Sequence, residues 1–329
     1  MIVSHGEHRA GGLIARSEFP TTNGLSQLRT TAVEILSAGL SAAMPDEGFL
    51  RSVRLVGSTL YIGERPFLLD DYDRIWFVGA GKATALVACA VSDLLGVHLA
   101  GGLTVVQRGA GREIAGIDVL EADHPVPSEP SLVAGQRLME FAAGVSEADL
   151  VITSFTGGSS ALVCLPPEGV TLASKQHLHR LLLRSGAPIE DINAVRKHVS
   201  AFKGGRFAKA LGAAAIINLT IPDVTSGRPD CITDPTVADL STRVEAIAVL
   251  VGRGLWDQID PSIRAHLDSS SAESPVLDDL DITTLMLTDG DRACAAMSVR
   301  ATEMGLTPYV FGTQITGEAS TVGTVLSAL

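Results

Sequence analysis

Residues 73–91 read "DRIWFVGAGKATALVACAV", and the fold turns on them. An apolar run from Ile75 ends in Gly79-Ala80-Gly81, one full charge follows at Lys82, and then comes a longer apolar stretch. Short apolar runs that end in glycine or small polar residues and lead into helical stretches are how parallel βαβ units appear in sequence. The pattern repeats outward. Strands are expected at 74–79, 102–107, 117–123, 149–155, 214–221, 283–288 and 307–311, with helices at about 82–95, 131–143, 171–185, 190–210 and 291–304. Toward the N-terminus, residues 24–44 have the apolar spacing of one amphipathic helix that should stop at Pro45, and residues 51–69 alternate like a hairpin around Gly57-Ser58. The expected fold class is α/β. A Rossmann-like parallel sheet flanked by helices is expected over 66–241, with 1–65 and 242–329 as a second, smaller α/β domain. The polar, acidic segment 254–281 reads either as a crossing between lobes or as surface decoration.

Composition bounds the function. With 329 residues, 46% hydrophobic and 19% charged, the chain can bury a large core. A formal charge of −12 opposes attachment to nucleic acid or to an anionic membrane, so the expected partner is a small molecule. If that molecule is an anion, cations must be gathered locally. Cys89, Cys164, Cys231 and Cys294 have neither zinc-site nor C-x-x-C spacing and read as thiols in a reducing compartment. No window has the apolar length of a membrane span, and the cytoplasm is the expected location.

Ligands of an open parallel sheet settle beyond the carboxyl ends of its strands. Four such places carry unusual chemistry. At Gly79, Gly81 and Lys82, a Walker A loop fails because Trp76 stands where its first glycine belongs and Ala83 follows the lysine. A dinucleotide fingerprint is weakened by Thr84 and by Gln107-Arg108 after the next strand, although Arg108 leaves an NADP site open. A third reading is a glycine turn exposing a helix N-terminus, with Lys82 adding charge to donors that favour an anion; the plain alternative is a tight turn with Lys82 in water. The second place is Thr156-Gly157-Gly158-Ser159-Ser160, an anion cradle if the paired glycines turn backbone N–H groups toward one point. The third is basic: Arg196, Lys197, Lys203, Arg206 and Lys209 put five of the chain's 25 cations inside 14 residues. Arg196, Ser200 and Lys203 would share a helical face, and Gly204-Gly205 disfavours helix unless a bend or close backbone approach is wanted. Such a cluster suits a polyanion such as nucleotide phosphates, or is a solvated helix face. The fourth place holds Asp223 and Asp234, either turn aspartates or carboxylates that hold Mg²⁺ or accept a hydroxyl proton. His124 in "EADHPVPSEPS" is read as structural, with a substrate contact as the lesser alternative.

Together these loops resemble a known family. "GAGKA", "DHPVPSEPS", "DLVITSFTGGSSAL", "LLLRSGAPIEDINAVRKHVSAFKGGRFAKAL" and "IPDV" occur in the order seen in the glycerate 2-kinase family that carries the MOFRL domain. The resemblance covers about residues 28–320 and is most specific from Ser185 to Ala210. It implies a two-lobed fold, the smaller lobe incomplete here relative to the family, in which ATP and D-glycerate meet in a cleft and the γ-phosphoryl passes to a glycerate hydroxyl with Mg²⁺. It places Lys82 in the active site and Gly157, Gly158, Ser159, Ser160, Asn193, Arg196 and Lys203 along the cleft. The expected roles follow: Lys82, Arg196 and Asp223 are catalytic, the glycine turns including Gly204 and Gly205 bind nucleotide, and Asp223 and Asp234 hold Mg²⁺.

Three departures bear on substrate identity. Pro222 and Thr233-Asp234-Pro235 stand where the family has serine and serine-glycine-proline, and Thr156 and Ser159 stand where it favours serine and glycine. The family also continues past "GTQITGEASTVGTVLSAL" through a Gly-Gly-Glu strand and a glycine- and arginine-rich loop. A second polypeptide supplying that half, a homo-oligomer, or a truncated relative is therefore expected. The rivals to a kinase are a nicotinamide-dependent reductase of a small 2-oxo acid and a catalytically silent subunit.

Overall fold

The structure, a computed structural model, describes residues 23–221 and 232–328; Pro222, Asp223 and Cys231 lie outside the described residues. In chain order the elements are α1 (Asn23–Ala42), α2 (Pro45–Ser52), β1 (Val53–Val56), β2 (Thr59–Ile62), β3 (Arg65–Leu68), β4 (Ile75–Ala80), α3 (Thr84–Leu95), β5 (Leu99–Gln107), β6 (Asp118–Ala122) and α4 (Glu129–Ala143). They continue as β7 (Leu150–Phe155), α5 (Ser159–Leu162), α6 (Leu172–Arg184), α7 (Ile189–His198), α8 (Arg206–Ala210), β8 (Ala215–Thr220), α9 (Arg243–Gly252), α10 (Pro261–Asp268), β9 (Ile282–Met286), α11 (Gly290–Glu303) and α12 (Ala319–Leu326). Pro45 ends the first helix as expected and starts the next, where its missing N–H is no loss.

Six strands form a parallel sheet in the order β6-β5-β4-β7-β8-β9. Successive side chains of a strand face opposite sides, so Phe77 of β4 packs with α3 and the β1–β3 hairpin sheet, while Val78 and Ala80 pack with α4 and α8. The chain leaves β4 toward β5 and β6, then returns to its other side as β7. That reversal opens a crevice beyond the carboxyl ends of β4 and β7. A third core cluster joins α6, α7, α9 and α10 through Leu178, Leu182, Val195, Leu250, Ile263 and Leu267.

Contacts divide the chain at 48/49 and 287/288, not at 65/66 and 241/242. The reason is in the packing: the β1–β3 sheet shares the core under β4, α9 and α10 complete the third cluster, and β9 hydrogen-bonds β8. In the smaller unit α1 packs on α11, where Gly39 leaves room for Met297 and Arg300 bonds Glu34 at 2.7 Å. Its described residues hold helices and no strand.

Two expected elements differ. The single helix at 190–210 is broken after His198, because Gly204 (φ 62°) and Gly205 (φ 81°) take left-handed backbone that a helix cannot contain. Residues 307–311 form no strand. Among the described residues nothing pairs with them, and Tyr309, Val310 and Phe311 are exposed.

Candidate functional site

At the crevice, the turns that follow β4 and β7 are joined by two backbone hydrogen bonds and one to a side chain. Thr156 N–H donates to Ala80 O at 2.9 Å, Lys82 N–H donates to Gly157 O at 2.9 Å, and Ala83 N–H donates to Thr156 Oγ1 at 3.2 Å. Gly79 and Gly81 make this closeness possible: a Cβ on Gly79 would lie 2.7 Å from Ser154 O, and one on Gly81 would lie 2.7 Å from Thr156 O. Expected as nucleotide contacts, both glycines pack strand to strand, and neither lines the cavity. Lys82 is carried outward to its wall.

The cavity has a volume of about 380 Å³ and is lined by Lys82, His124, Gly157, Gly158, Ser159, Ser160, His179, Asn193, Arg196 and Asp234, among others. Gly158 has φ 90°, and a Cβ there would lie 3.3 Å from Lys82 Cε and 3.2 Å from His124 Cδ2. Glycine thus lets Lys82 and His124 approach from two sides. Arg196 comes from α7 and donates to Asn193 Oδ1 at 3.2 Å.

His124 follows β6 on a strongly held loop. Arg108 Nε donates to Asp123 Oδ1 at 2.8 Å and Ser128 Oγ donates to Asp123 Oδ2 at 2.6 Å; these bonds hold the Asp123 carboxyl down to about 2. Gln176 Nε2 donates to Pro127 O at 2.7 Å. Arg108, kept open as an NADP contact, is instead engaged with Asp123. Burial, and then the charges of Lys82 and Arg196, lower the pKa of His124. His179 is pushed down to about 3, first by burial and then by Arg196, so it stands neutral.

Asp234 also lines the cavity, only 2% exposed. Burial raises its carboxyl to about 6 against hydrogen bonds from Thr236 N–H (2.8 Å), Thr236 Oγ1 (2.7 Å) and Asn218 Nδ2 (3.2 Å). Asp223 cannot be placed, since it lies outside the described residues. Among those residues no group of three or more His, Cys, Asp or Glu is arranged to hold a metal ion.

The basic run does not act as one surface. Arg196 alone of its five cations lines the cavity. Lys203 is 3% exposed, and its Nζ donates to Val163 O at 2.7 Å. Gly204 and Gly205 turn toward Lys197 and Leu277. Lys197 forms a buried ion pair with Asp239, Arg206 bonds the Ala272 and Glu273 carbonyls, and Lys209 pairs with Asp279. Lys203, Gly204 and Gly205 do not line the cavity, because the break after α7 turns them inward. Sequence reasoning did not single out His179 or Lys175, one turn apart on α6. Lys175 is buried, its Nζ has no hydrogen-bond partner among the described residues, and burial pushes its amine down to about 7 with Lys203 and Arg196 adding to the shift. Neither residue has a motif to mark it; only the packing of α6 against the cavity shows them.

The sequence matches the family described as Domain of unknown function (DUF4147) over residues 31–268. A glycerate 2-kinase of Pyrococcus horikoshii is 30% identical over 307 residues, covering 92% of this chain and 69% of that protein. A putative hydroxypyruvate reductase of Agrobacterium vitis is 35% identical over 253 residues, covering 77% and 57%. The crystal structure of a glycerate kinase from Thermotoga maritima superposes with a TM-score of 0.70 at 31% identity, covering 85% of this chain and 63% of that one.

Proposed function

The chain belongs to the glycerate kinase family, a family of phosphotransferases, and from that premise we propose that it transfers the γ-phosphoryl of ATP to a hydroxyl of D-glycerate or a related small sugar acid. The observation that carries this reading is the meeting of Lys82 and Arg196 with the Gly157–Ser160 turn around one cavity at the reversal of strand order. Phosphoryl transfer needs little covalent chemistry from the protein; it needs positioned charge where phosphate oxygens and an acid's carboxylate lie. Lys82 and Arg196 supply that charge, and the held turns keep them in place before substrate arrives.

The acidic side of the cavity suits a Mg²⁺ carried by nucleotide phosphates better than a resident ion. Asp234 is the one carboxylate lining the cavity among the described residues, and it already accepts three hydrogen bonds. When bound, Mg²⁺ would neutralise the phosphate charge. A reducing cytoplasm fits the free thiols Cys89, Cys164 and Cys294. A second polypeptide or a further copy of the chain would have an apolar surface to cover at Tyr309, Val310 and Phe311.

The test is to incubate the protein with Mg·ATP and D-glycerate and follow phosphoglycerate by phosphorus NMR. Product is expected, and its absence across small sugar acids overturns the reading. A second reading, nicotinamide-dependent reduction of a small 2-oxo acid, draws support from the name of the Agrobacterium relative. The geometry offers it less, since Arg108 is paired with Asp123 and the backbone at Gly81 is covered by Thr156. Oxidation of NADPH by hydroxypyruvate without phosphoryl transfer would favour it. Neither activity would favour the silent subunit.

A further inference from the structure

We propose that His124 is the proton acceptor for the substrate hydroxyl, a catalytic role that rests on the kinase reading above. Apart from its cations, the described part of the cavity wall offers three side chains that accept a proton readily: His124, His179 and Asp234. Asp234 is committed, with Oδ1 taken by the Thr236 N–H and hydroxyl and Oδ2 by Asn218. His179 has its Nε2 buried out of reach of solvent without a hydrogen-bond partner. His124 is half-buried with its ring against Gly158, across from the Lys82 stem. A hydroxyl held between them would be oriented by one and deprotonated by the other.

The loop is built to hold that ring. Asp123 beside it is fixed by Arg108 and Ser128, and further along the loop Pro127 O accepts from Gln176. General base catalysis needs an unprotonated group kept in one geometry. The charged and titratable groups around the imidazole are Lys82 from the turn after β4, Arg196 from α7, Asp123 beside it and His179 from α6. Burial, Lys82 and Arg196 favour its neutral form.

In the step itself, the substrate oxygen forms a bond to the γ-phosphorus while the bond to the β,γ-bridging oxygen breaks. The nucleoside diphosphate leaves with that electron pair. The hydroxyl proton passes to a ring nitrogen of His124, and the imidazolium then returns it to water.

The experiment compares the parent with His124→Ala and His124→Gln, measuring kcat and KM with ATP and D-glycerate, the pH profile of kcat, and rescue by free imidazole. The expected result is a fall in kcat of about 100-fold or more with KM changed by less than about threefold. Imidazole restores part of the rate to the alanine variant and none to the glutamine variant, whose side chain fills the space. A purely structural histidine would give no such rescue, and the glutamine variant covers a failure of the alanine variant to fold. An active parent whose variants keep kcat, or lose it without any response to imidazole, overturns this role and leaves the kinase reading standing. A parent that phosphorylates no hydroxy acid overturns both.

Discussion

Gly157-Gly158 and Gly204-Gly205 look alike in sequence, each a glycine pair beside polar or basic residues, yet they do different work. The first pair follows a central strand at the reversal of the sheet, and its left-handed Gly158 admits Lys82 and His124 to the cavity. The second pair follows a helix on the flank, and its left-handed Gly205 packs onto Leu277 in the core. The lysines differ in the same way. Lys82 is exposed on the cavity wall, whereas Lys203 is buried and spends its charge on the Val163 carbonyl. Residue type sets what a turn can do; its place in the sheet decides what it meets.

The largest expected effect tests the first pair. Gly158→Ala should cut phosphotransferase kcat about 1000-fold, roughly 4 kcal/mol of transition-state stabilisation, a loss beyond the about 1–2 kcal/mol of stability that its left-handed backbone (φ 90°) costs any added side chain. The added methyl pushes apart Lys82 and His124. Unchanged kcat would break the comparison.

Next in size is the buried amine that flanks the second region. A neutral isostere at Lys175 avoids placing an unpartnered ammonium in the core, so Lys175→Met should raise stability at pH 7 by roughly 2–3 kcal/mol. The sign follows from linkage. The folded pKa of about 7 lies below the usual lysine value, so the parent's penalty is fully present below pH 7 and is relieved as pH climbs toward 10.5. Denaturant unfolding at pH 6 and pH 10 should show the gain shrinking at the higher pH; a constant difference would contradict the assignment.

The smallest expected effect tests the second pair. Gly205→Ala should lose about 1–2 kcal/mol of stability from the left-handed backbone and the contact with Leu277, with KM for D-glycerate unchanged. A large rise in KM would return this pair to the ligand set.

Much of the fold was legible because it is local. The alternation of short apolar runs and helical stretches gave six of the seven expected strands within a few residues, and Pro45 and the hairpin glycine kept their meaning. Residues 307–311 failed because apolar composition raises strand preference without supplying a partner. In 254–281 the acids and serines mask a four-residue spacing of Leu255, Ile259, Ile263 and Leu267, all four buried against α6, α7 and α9. At the site, Lys82, Gly157–Ser160, Asn193, Arg196 and Asp234 were named and converge. His179 and Lys175 were not, because a lone histidine and a lone lysine on a helix carry no pattern until the opposing surface is known.

The sequence by itself determined the kinds of element, their order along the chain, and the residues able to bear charge at strand ends, since these depend on backbone preference and periodicity within a few neighbours. Only the tertiary structure decided the strand order, the crevice between β4 and β7, and which of the cations turn outward. Those depend on which distant segments exclude water from one another, and that is a property of the packed whole.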